Sequence, residues 1–233
     1  MGKAFFITAT DTEVGKTLVG AGLCRAFCKL GLNVGCCKPV ATGESISSDA
    51  IRLQEASRST DLMGVINPVL LKYPLAPMSS AELQNETIDI PDLLSRIKRI
   101  IQSHDISIIE GVGGIMVPLA ENYLVLDLIA DLGLQTIVVS PARLGTINHT
   151  LMTTTLLQQR GIEVTGIIYN LCLDDDITTD SSYQLINRLA KVPVIAKISY
   201  NKAYQKSYDQ LANLLDKEIN TRKLFETCKP YGL

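Results

Sequence analysis

Apolar and polar stretches alternate along this chain in the manner of strands and helices. Residues 3–8 form a short apolar run, as in a buried strand, and apolar side chains at helical spacing follow from Val19 to Leu30. Gly31 ends that stretch, as glycine often ends a helix. Further strands are predicted at residues 33–38, 106–109, 135–140, 163–170 and 193–198. Helices are predicted at residues 49–57, 78–83, 124–132, 146–160, 182–190 and 204–219.

This alternation predicts an α/β fold with a mostly parallel sheet and helices on both faces. Pro91 opens one more helix, because proline is favourable in a first helical turn. Residues 67–77 are irregular around an extended piece at 69–73, and residues 40–48 and 174–180 are polar loops. No repeat or linker interrupts the pattern, so residues 1–233 are expected to form one domain, with no clear pattern from about residue 220 onward.

Composition fits a globular protein with a sizeable core. Hydrophobic residues make up 46% of the chain and charged residues 20%, and the net charge is −2. Bulk charge therefore gives no reason to expect binding to nucleic acid or to an anionic membrane. No apolar run reaches the ~20 residues of a membrane span. The chain enters a strand at once, so we expect no signal peptide and a cytoplasmic protein.

The cysteines and histidines offer little catalytic signal. Six cysteines are present, none of them in a C-x-x-C pair. Cys24 and Cys28 lie one helical turn apart, so they either hold a metal or are ordinary thiols in a reducing compartment. The lack of nearby His or Cys partners favours ordinary thiols. His104 and His149 lie in no recognisable nucleophile motif.

The turn between the first strand and the first helix carries Gly15, Lys16 and Thr17 in succession. A helix N-terminus offers free N–H groups and a positive dipole end to an anion. Gly15 allows close backbone approach, Lys16 can reach β- and γ-phosphate oxygens, and the Thr17 hydroxyl can ligate Mg²⁺. Thr10 stands where a strict phosphate-binding loop has glycine. The tripeptide alone therefore leaves a nucleotide site and an ordinary strand–turn–helix both open.

Three polar clusters follow this loop, and ligands of open α/β sheets bind at the carboxyl ends of strands. Lys38 ends the second strand and either binds an anion or is a solvated lysine. Ser48 is interpreted as a helix N-cap, and Asp49 either is a favourable first-turn acid or supplies a Mg²⁺ carboxylate. Glu110 ends a buried strand before the glycines of residues 111–114. A carboxylate there requires a cation or donors, which favours a metal ligand over a surface acid.

Residues 143–148 and Asn170 also follow predicted strands, so we expect them to join the same site. The free N–H groups of the helix that starts near Gly145 could hold a carboxylate. His149, just inside that helix, is interpreted as structural. The three aspartates at 174–176 lack the spacing and glycine of a calcium loop, so we interpret them as part of a solvated loop.

Short motifs stand in a fixed order along the chain. They are T-D-T-E-V-G-K-T at 10–17, K-P-V-A-T-G at 38–43, S-D-A at 48–50, E-G-V-G-G at 110–114 and L-G-T-I-N-H at 144–149, with Asn170 after them. In this order and spacing the set resembles the dethiobiotin synthetase family, and the similarity spans almost the whole chain. The resemblance implies a fold like that of P-loop NTPases and a homodimeric ligase of biotin biosynthesis.

The resemblance also implies a reaction. The family binds 7,8-diaminononanoate, CO₂ or bicarbonate, and ATP with Mg²⁺. One substrate amine takes up CO₂ as a carbamate, whose oxygen attacks the γ-phosphate to give a carbamic–phosphoric mixed anhydride. The second amine closes the cyclic urea of dethiobiotin, releasing phosphate. Phosphoryl transfer of this kind needs positioning and charge stabilisation rather than a covalent enzyme intermediate.

The family's roles fall on matching positions of this sequence. Catalysis would depend on Lys38, Lys16 and Thr12, and Lys38 would hold the carbamate. Mg²⁺ would be bound by Thr17, Asp49 and Glu110. The diamine would contact Thr12, Lys38, Thr42, Gly145, Thr146, Ile147 and Asn148, with the partner subunit's Tyr183 as a further candidate. ATP would contact Glu13, Val14, Gly15, Lys16, Thr17, Leu18, Asp49, Glu110, Gly111, Val112, Gly113, Asn170, Leu171, Ile198, Ser199 and Tyr200.

Three positions depart from the family's pattern. Ala9 stands where the family usually has glycine, and Met78 where many members have histidine. Ser199 stands where the segment around the base often has proline. These departures bear on individual contacts with the diamine and the base, and they leave the phosphate and metal residues intact.

Other classes of P-loop protein fit less well. Amide synthases of related fold usually add a glutamine-hydrolysing domain, for which this chain has no room. Partition-type ATPase switches carry an additional lysine early in the loop, and residues 9–14 contain none. A degenerate homologue would be expected to lose Lys16, Lys38 or Glu110, and all three are present.

Overall fold

The protein is built on one six-stranded parallel sheet. A computed structural model describes residues 2–173 and 176–232. In the described part of the chain the strands are β1 (Lys3–Ala9), β2 (Val34–Cys37), β3 (Val40–Thr42), β4 (Val69–Leu71), β5 (Ile106–Glu110), β6 (Pro118–Ala120), β7 (Tyr123–Leu124), β8 (Gln135–Pro141), β9 (Val164–Cys172) and β10 (Val194–Ser199). The order across the main sheet is β10–β9–β8–β1–β5–β2, and every neighbouring pair is parallel.

Helices follow most of these strands. They are α1 (Lys16–Lys29), α2 (Ser48–Ser57), α3 (Met63–Ile66), α4 (Pro77–Leu83), α5 (Ile90–Ser103), α6 (Val125–Leu132), α7 (Thr146–Gln159), α8 (Ile177–Leu189), α9 (Tyr208–Ile219) and α10 (Thr221–Thr227), with a 3₁₀ turn at Lys202–Gln205. No helix among the described residues is both long and apolar enough to cross a bilayer. The predicted α/β class with a parallel sheet is confirmed.

The central strand β1 shows why helices must cover both faces of the sheet. Successive side chains of a strand point to opposite faces. Phe5 and Ile7 belong to one apolar cluster and Phe6 belongs to the other, and all three are fully buried. Burying each such side chain is worth about 1.5–3 kcal/mol, so each face has a strong reason to be covered. The carboxyl end of β1 is thereby held rigidly between β5 and β8.

Several short elements differ from the sequence expectation. The loop predicted at 40–48 contains β3, which pairs with β4 in a separate parallel sheet, and β6 pairs with β7 as an antiparallel hairpin. These strands have only two or three residues, too few for a periodic pattern, and they form because a partner strand is nearby.

The C-terminal helices also begin elsewhere than predicted. α8 begins at Ile177, because the Asp176 side chain caps it by accepting from the Thr179 N–H at 2.8 Å. The expected solvated loop is therefore partly helix, and Asp174 and Asp175 lie outside the described residues. α9 begins later than the predicted residue 204, and α10 occupies part of the tail for which the sequence showed no pattern.

Gly22 lies where α1 packs closely against α9. A Cβ added there would lie 2.7 Å from Leu211 Cγ and 2.7 Å from Leu215 Cδ1, both side chains being fully buried. Alanine is normally preferred to glycine inside a helix, but here the added methyl has no space.

We therefore expect Gly22→Ala to lower the free energy of unfolding by about 1–3 kcal/mol, measured by urea denaturation. The matched control is Gly64→Ala in α3, because a Cβ at Gly64 meets no atom within 4 Å. That control should be neutral or stabilising by up to about 1 kcal/mol. Equal unfolding midpoints for the two variants would contradict the packing argument.

Candidate active site

The loop between β1 and α1 turns sharply at the carboxyl end of the central strand. Gly15 has a φ of 91° and Glu13 a φ of 55°, both in the left-handed region. Gly15 is required sterically as well, since a Cβ there would lie 2.2 Å from the Asn170 amide nitrogen. No side chain in the part of the chain that the structure describes caps the start of α1. The first N–H groups of α1 therefore remain available to an anion.

Lys16 crosses the mouth of this loop. Its side chain is buried, and Nζ donates to the backbone carbonyl of Asp11 at 2.9 Å. Burial, reinforced by the nearby Lys38 ammonium, lowers the pKa of Lys16 to about 8. A poorly solvated ammonium in this position is a strong attractor for phosphate oxygens.

Three oxygen-bearing side chains converge beside Lys16. The Thr17 hydroxyl oxygen lies 2.8 Å from Asp49 Oδ1 and 2.8 Å from Glu110 Oε1. A hydroxyl carries one proton, so Thr17 can donate to only one of these carboxylates at a time. Glu110 is fully buried, and its Oε2 atom has no hydrogen-bond partner among the described residues. The cluster thus has more acceptors than donors, and its hard oxygens suit Mg²⁺.

Lys38 joins the same cluster from the other side. Nζ lies 2.7 Å from Glu110 Oε1 and 2.8 Å from Asp49 Oδ2, and donates to the Gly111 carbonyl at 3.2 Å. Burial by itself would lower the pKa of Lys38, but the two carboxylates outweigh it and raise the pKa. Burial would likewise raise the pKa of Asp49, and Lys38 together with Thr17 lowers it instead. Lys38 is therefore an ammonium and Asp49 a carboxylate at neutral pH.

Each of these side chains is placed by a regular element. Lys38 follows β2, and Glu110 ends β5, which lies between β2 and β1. Asp49 lies in the first turn of α2, whose N-cap is Ser47 rather than the expected Ser48: the Ser47 hydroxyl accepts from the Ala50 N–H at 3.2 Å. Ser48 is the first residue of the helix, and the Glu44 carboxylate accepts from its N–H at 2.6 Å.

These groups border a cleft of about 630 Å³. Its volume is within the range of sites for nucleotide-sized ligands. The cleft is lined by Thr12, Glu13, Gly15, Lys16, Thr17, Leu18, Lys38, Ala41, Thr42, Glu44, Ser47, Ser48, Asp49, Arg52, Glu110, Val112, Gly113 and Leu171. Most residues expected to contact phosphate and metal thus lie together.

The residues expected to contact the base lie at the ends of β9 and β10. Asn170 is buried, and its Nδ2 donates to the Val14 carbonyl at 2.9 Å. Leu171, the residue before the last of β9, borders the cleft with a φ of 59°, a conformation that is costly for leucine, and the pairing of β9 with β10 is irregular there. Residues 198–200 are not among those that line the cleft, although the Tyr200 N–H donates to the Cys172 carbonyl at 2.8 Å.

The start of α7 lies at the same edge of the sheet but outside the cleft. Gly145, Thr146 and Ile147 border a separate cavity of about 350 Å³, and Asn148 is exposed. Arg143 connects this region to the phosphate loop, because its Nη2 lies 2.8 Å from Asp11 Oδ2. The expectation that all polar clusters share one place is therefore only partly correct.

The thiols and histidines add no cluster of metal-binding side chains in the described part of the chain. Within the described ranges no group of three or more His, Cys, Asp or Glu side chains is arranged to hold a metal. The cysteines form no disulfide within the described ranges, and burial raises the pKa of Cys36 to about 12. His104 packs against Asp61, with 3.3 Å between Nε2 and Oδ2, and His149 is exposed.

Sequence reasoning assigned no role in the site to Arg52 and Glu44, which border the cleft, or to the Asp11 carbonyl, which accepts from Lys16. Arg52 lies three positions after Asp49 on α2, so helical spacing could have placed it on the same face. Glu44 could have been found as a capping acid close before α2. The Asp11 carbonyl that receives Lys16 left no signal, because a backbone contact does not depend on side-chain identity.

Known proteins match this chain over most of its length. A family model described as "AAA domain" matches residues 3–207. The ATP-dependent dethiobiotin synthetase BioD of Methanocaldococcus jannaschii is 34% identical, with 88% of this chain and 98% of the relative covered. The ATP-dependent dethiobiotin synthetase BioD of Bacillus subtilis is 39% identical, with 83% and 85% covered.

Solved structures share the fold at low sequence identity. The MinC:MinD cell division protein complex of Aquifex aeolicus matches with a TM-score of 0.63 and 16% identity, covering 99% of this chain and 100% of that chain. The cell division ATPase MinD of Pyrococcus furiosus matches with a TM-score of 0.62 and 17% identity, covering 96% and 99%. These likenesses establish a fold like that of P-loop NTPases. The curated relatives go further: with identities above 30% over nearly their whole length, they show that this chain belongs to the dethiobiotin synthetase family.

Proposed function

We propose that this protein makes dethiobiotin from 7,8-diaminononanoate, CO₂ and ATP. One amine of the diamine adds to CO₂ and loses a proton, giving a carbamate. A carbamate oxygen attacks the γ-phosphorus and ADP leaves. The second amine then attacks the carbamoyl carbon, phosphate leaves and the cyclic urea closes. The observation that carries the proposal is the buried contact of Lys38 with Glu110 and Asp49 beside the phosphate loop.

The two lysines supply the charge stabilisation that this reaction requires. Lys16 lies at the loop and would stay bound to the β- and γ-phosphate oxygens while the phosphoryl group is transferred. Lys38 is held as an ammonium by two carboxylates and faces the same cleft, where it would bind the carbamate oxygen. Thr12 and Thr42 also border the cleft and would hold the diamine end of the substrate. Phosphoryl transfer then depends on positioning, with no covalent enzyme intermediate.

Magnesium fits the oxygens of Thr17, Asp49 and Glu110. Glu110 Oε2 is a buried acceptor without a hydrogen-bond partner in the described ranges, and the hydroxyl proton of Thr17 cannot satisfy both carboxylates. Mg²⁺ takes few protein ligands and completes its shell with water and phosphate oxygens, so a larger acidic cluster is not needed. When bound, Mg²⁺ would neutralise phosphate charge.

A homodimer is part of the proposal. Two strongly exposed apolar residues, Leu144 and Ile177, border the cavity at the start of α7, and Met152 of the same helix is also exposed. Exposed apolar residues grouped in this way favour a protein interface. A second copy seated here would bring another surface to Gly145 and Thr146, where the substrate carboxylate would bind.

The partition-type ATPase switch is the alternative function. The solved structures that share the fold include cell division ATPases, but a likeness at 16–17% identity concerns the fold alone. Residues 9–14 contain no additional lysine, and the net charge of −2 gives no reason to expect nucleic acid as a partner. A chain that hydrolyses ATP without responding to the diamine would favour the switch.

The proposed reaction predicts diamine-dependent ADP formation. With MgATP and bicarbonate, we expect 7,8-diaminononanoate to start ADP release and to yield a cyclic urea of the mass of dethiobiotin. Removing Mg²⁺ with a chelator should stop both, and restoring it should recover them. The measurement is coupled ADP detection with mass spectrometry on the same samples. ADP release that does not depend on the diamine would contradict the assignment.

The role of Lys38 predicts a large and specific loss. We expect Lys38→Ala to lower kcat by about 10²–10³-fold or more, the usual cost of removing a group that stabilises transition-state charge. Nucleotide binding should change less, because Lys16 and the loop backbone remain. The matched control is Lys223→Ala, an exposed lysine of α10, which should keep full turnover. Equal turnover in Lys38→Ala and Lys223→Ala would contradict a catalytic role for Lys38.

The apolar face predicts the oligomeric state. We expect the parent protein to sediment as a dimer in analytical ultracentrifugation and Leu144→Asp to sediment as a monomer, because a charge cannot be buried unpaired at an interface. Leu62→Asp is the matched control, since Leu62 is similarly exposed but lies on another part of the surface, before α3. A dimer that survives Leu144→Asp, or is lost equally with Leu62→Asp, would show that this face is not the contact.

A further inference from the structure

Asn170 makes a contact that base recognition alone does not require. Its Nδ2 donates to the Val14 carbonyl at 2.9 Å, across 156 positions of sequence. Val14 belongs to the phosphate loop and Asn170 to the end of β9. The bond therefore ties the loop to a different strand of the sheet. Both residues are buried, so water does not compete for it.

The chemistry of the contact fixes the orientation of the Asn170 amide. A backbone carbonyl only accepts hydrogen bonds, so the group that faces Val14 must be the amide nitrogen. The amide oxygen Oδ1 then points away and has no hydrogen-bond partner among the described residues. The amide nitrogen of Asn170 is thus used in the bond to the loop, and its amide oxygen can accept a hydrogen bond from a ligand.

The loop needs such an attachment. Glu13 lies in the left-handed region, which costs energy for a residue with a side chain. Gly15 follows in the same region, and its missing Cβ makes the space that the Asn170 amide occupies. At the other end, the Asn170 carbonyl accepts from the Ala142 N–H at 2.8 Å, which anchors β9 to the residue after β8. Asn170 therefore connects the strained phosphate loop to the main sheet.

We propose that Asn170 is a positioning residue that holds the phosphate loop in its anion-binding conformation, in addition to any contact with the base. Its Oδ1 would accept from a donor such as an exocyclic amine of a nucleobase, while its Nδ2 holds the backbone that binds the phosphates. Base binding and phosphate binding would then be coupled through one side chain. The proposal rests on the proposed nucleotide site but not on the synthetase reaction.

The decisive experiment compares a ligand that has a base with one that has none. Isothermal titration of the full chain with MgATP and with magnesium tripolyphosphate gives affinity and stoichiometry for each. We expect Asn170→Ala to weaken tripolyphosphate about tenfold, the usual size of one lost buried hydrogen bond, and to weaken MgATP by a larger factor. An unchanged affinity for tripolyphosphate would overturn the proposal, whether or not ATP binding falls, because it would leave Asn170 as a base contact at most.

Two further variants keep the test sharp. Asn170→Leu has a similar shape and adds no charge but cannot donate to Val14, so it should also lose tripolyphosphate affinity. Parent-like affinity in this variant would contradict the proposal. Thr154→Ala is the control: the Thr154 hydroxyl is buried and donates to the Thr150 carbonyl within α7, so its loss should leave both affinities unchanged. If that control loses affinity to the same extent as Asn170→Ala, the effect is general destabilisation and the proposal fails.

Because binding alone is measured, the outcome is separate from that of the proposed reaction. If the diamine-dependent turnover is not observed, Asn170→Ala should still show a lower affinity for tripolyphosphate than the parent protein. Conversely, an intact affinity in Asn170→Ala would leave the synthetase assignment untouched.

Discussion

The active site depends on keeping charges buried without leaving them unpaired. A buried ammonium or carboxylate is tolerated only when an opposite charge and hydrogen bonds lie against it. Lys38 meets that condition through Glu110 and Asp49, and the Gly111 carbonyl takes a further bond. Replacing one member leaves the others uncompensated, so these side chains are constrained as a group. The Oε2 atom of Glu110 has no hydrogen-bond partner among the described residues, so the group retains one buried acceptor.

The order of the strands determines where these charged side chains lie, and therefore where each substrate would bind. Lys38 and Glu110 come from β2 and β5 on one side of the central strand, and Asn170 comes from β9 on the other. The phosphate loop of β1 lies between them. The phosphates of a nucleotide would therefore lie at the loop after β1. The proposed carbamate and metal groups lie on the side of β5 and β2, and the proposed base contact lies on the side of β9. The arrangement follows from parallel topology, because every strand delivers its last residue to the same edge.

Local pattern was sufficient for the sheet, the main helices and the phosphate loop. The apolar run of β1 and the helical stripe after it locate Lys16 and Thr17, and the buried position of Glu110 follows from the apolar strand before it. The contact between Asn170 and Val14 could not be predicted, since it joins an amide to a backbone carbonyl that has no sequence signature. The separation of Gly145 and Thr146 from the cleft was missed for a related reason. A strand end identifies an edge of the sheet but does not say which cavity a loop borders.

The strand order also has a consequence for how the chain acquires its structure. β1 at Lys3–Ala9 pairs with β5 at Ile106–Glu110 and β8 at Gln135–Pro141, and both partners are distant from it in sequence. Pairings so distant in sequence close slowly, because the chain entropy of a long loop is lost before the contact is gained. The phosphate loop therefore gains its supporting strands only when these distant pairings form, and its attachment to Asn170 requires β9 as well. Because the loop depends on these pairings, nucleotide binding stabilises a chain in which the pairings have already formed, and it contributes late in folding.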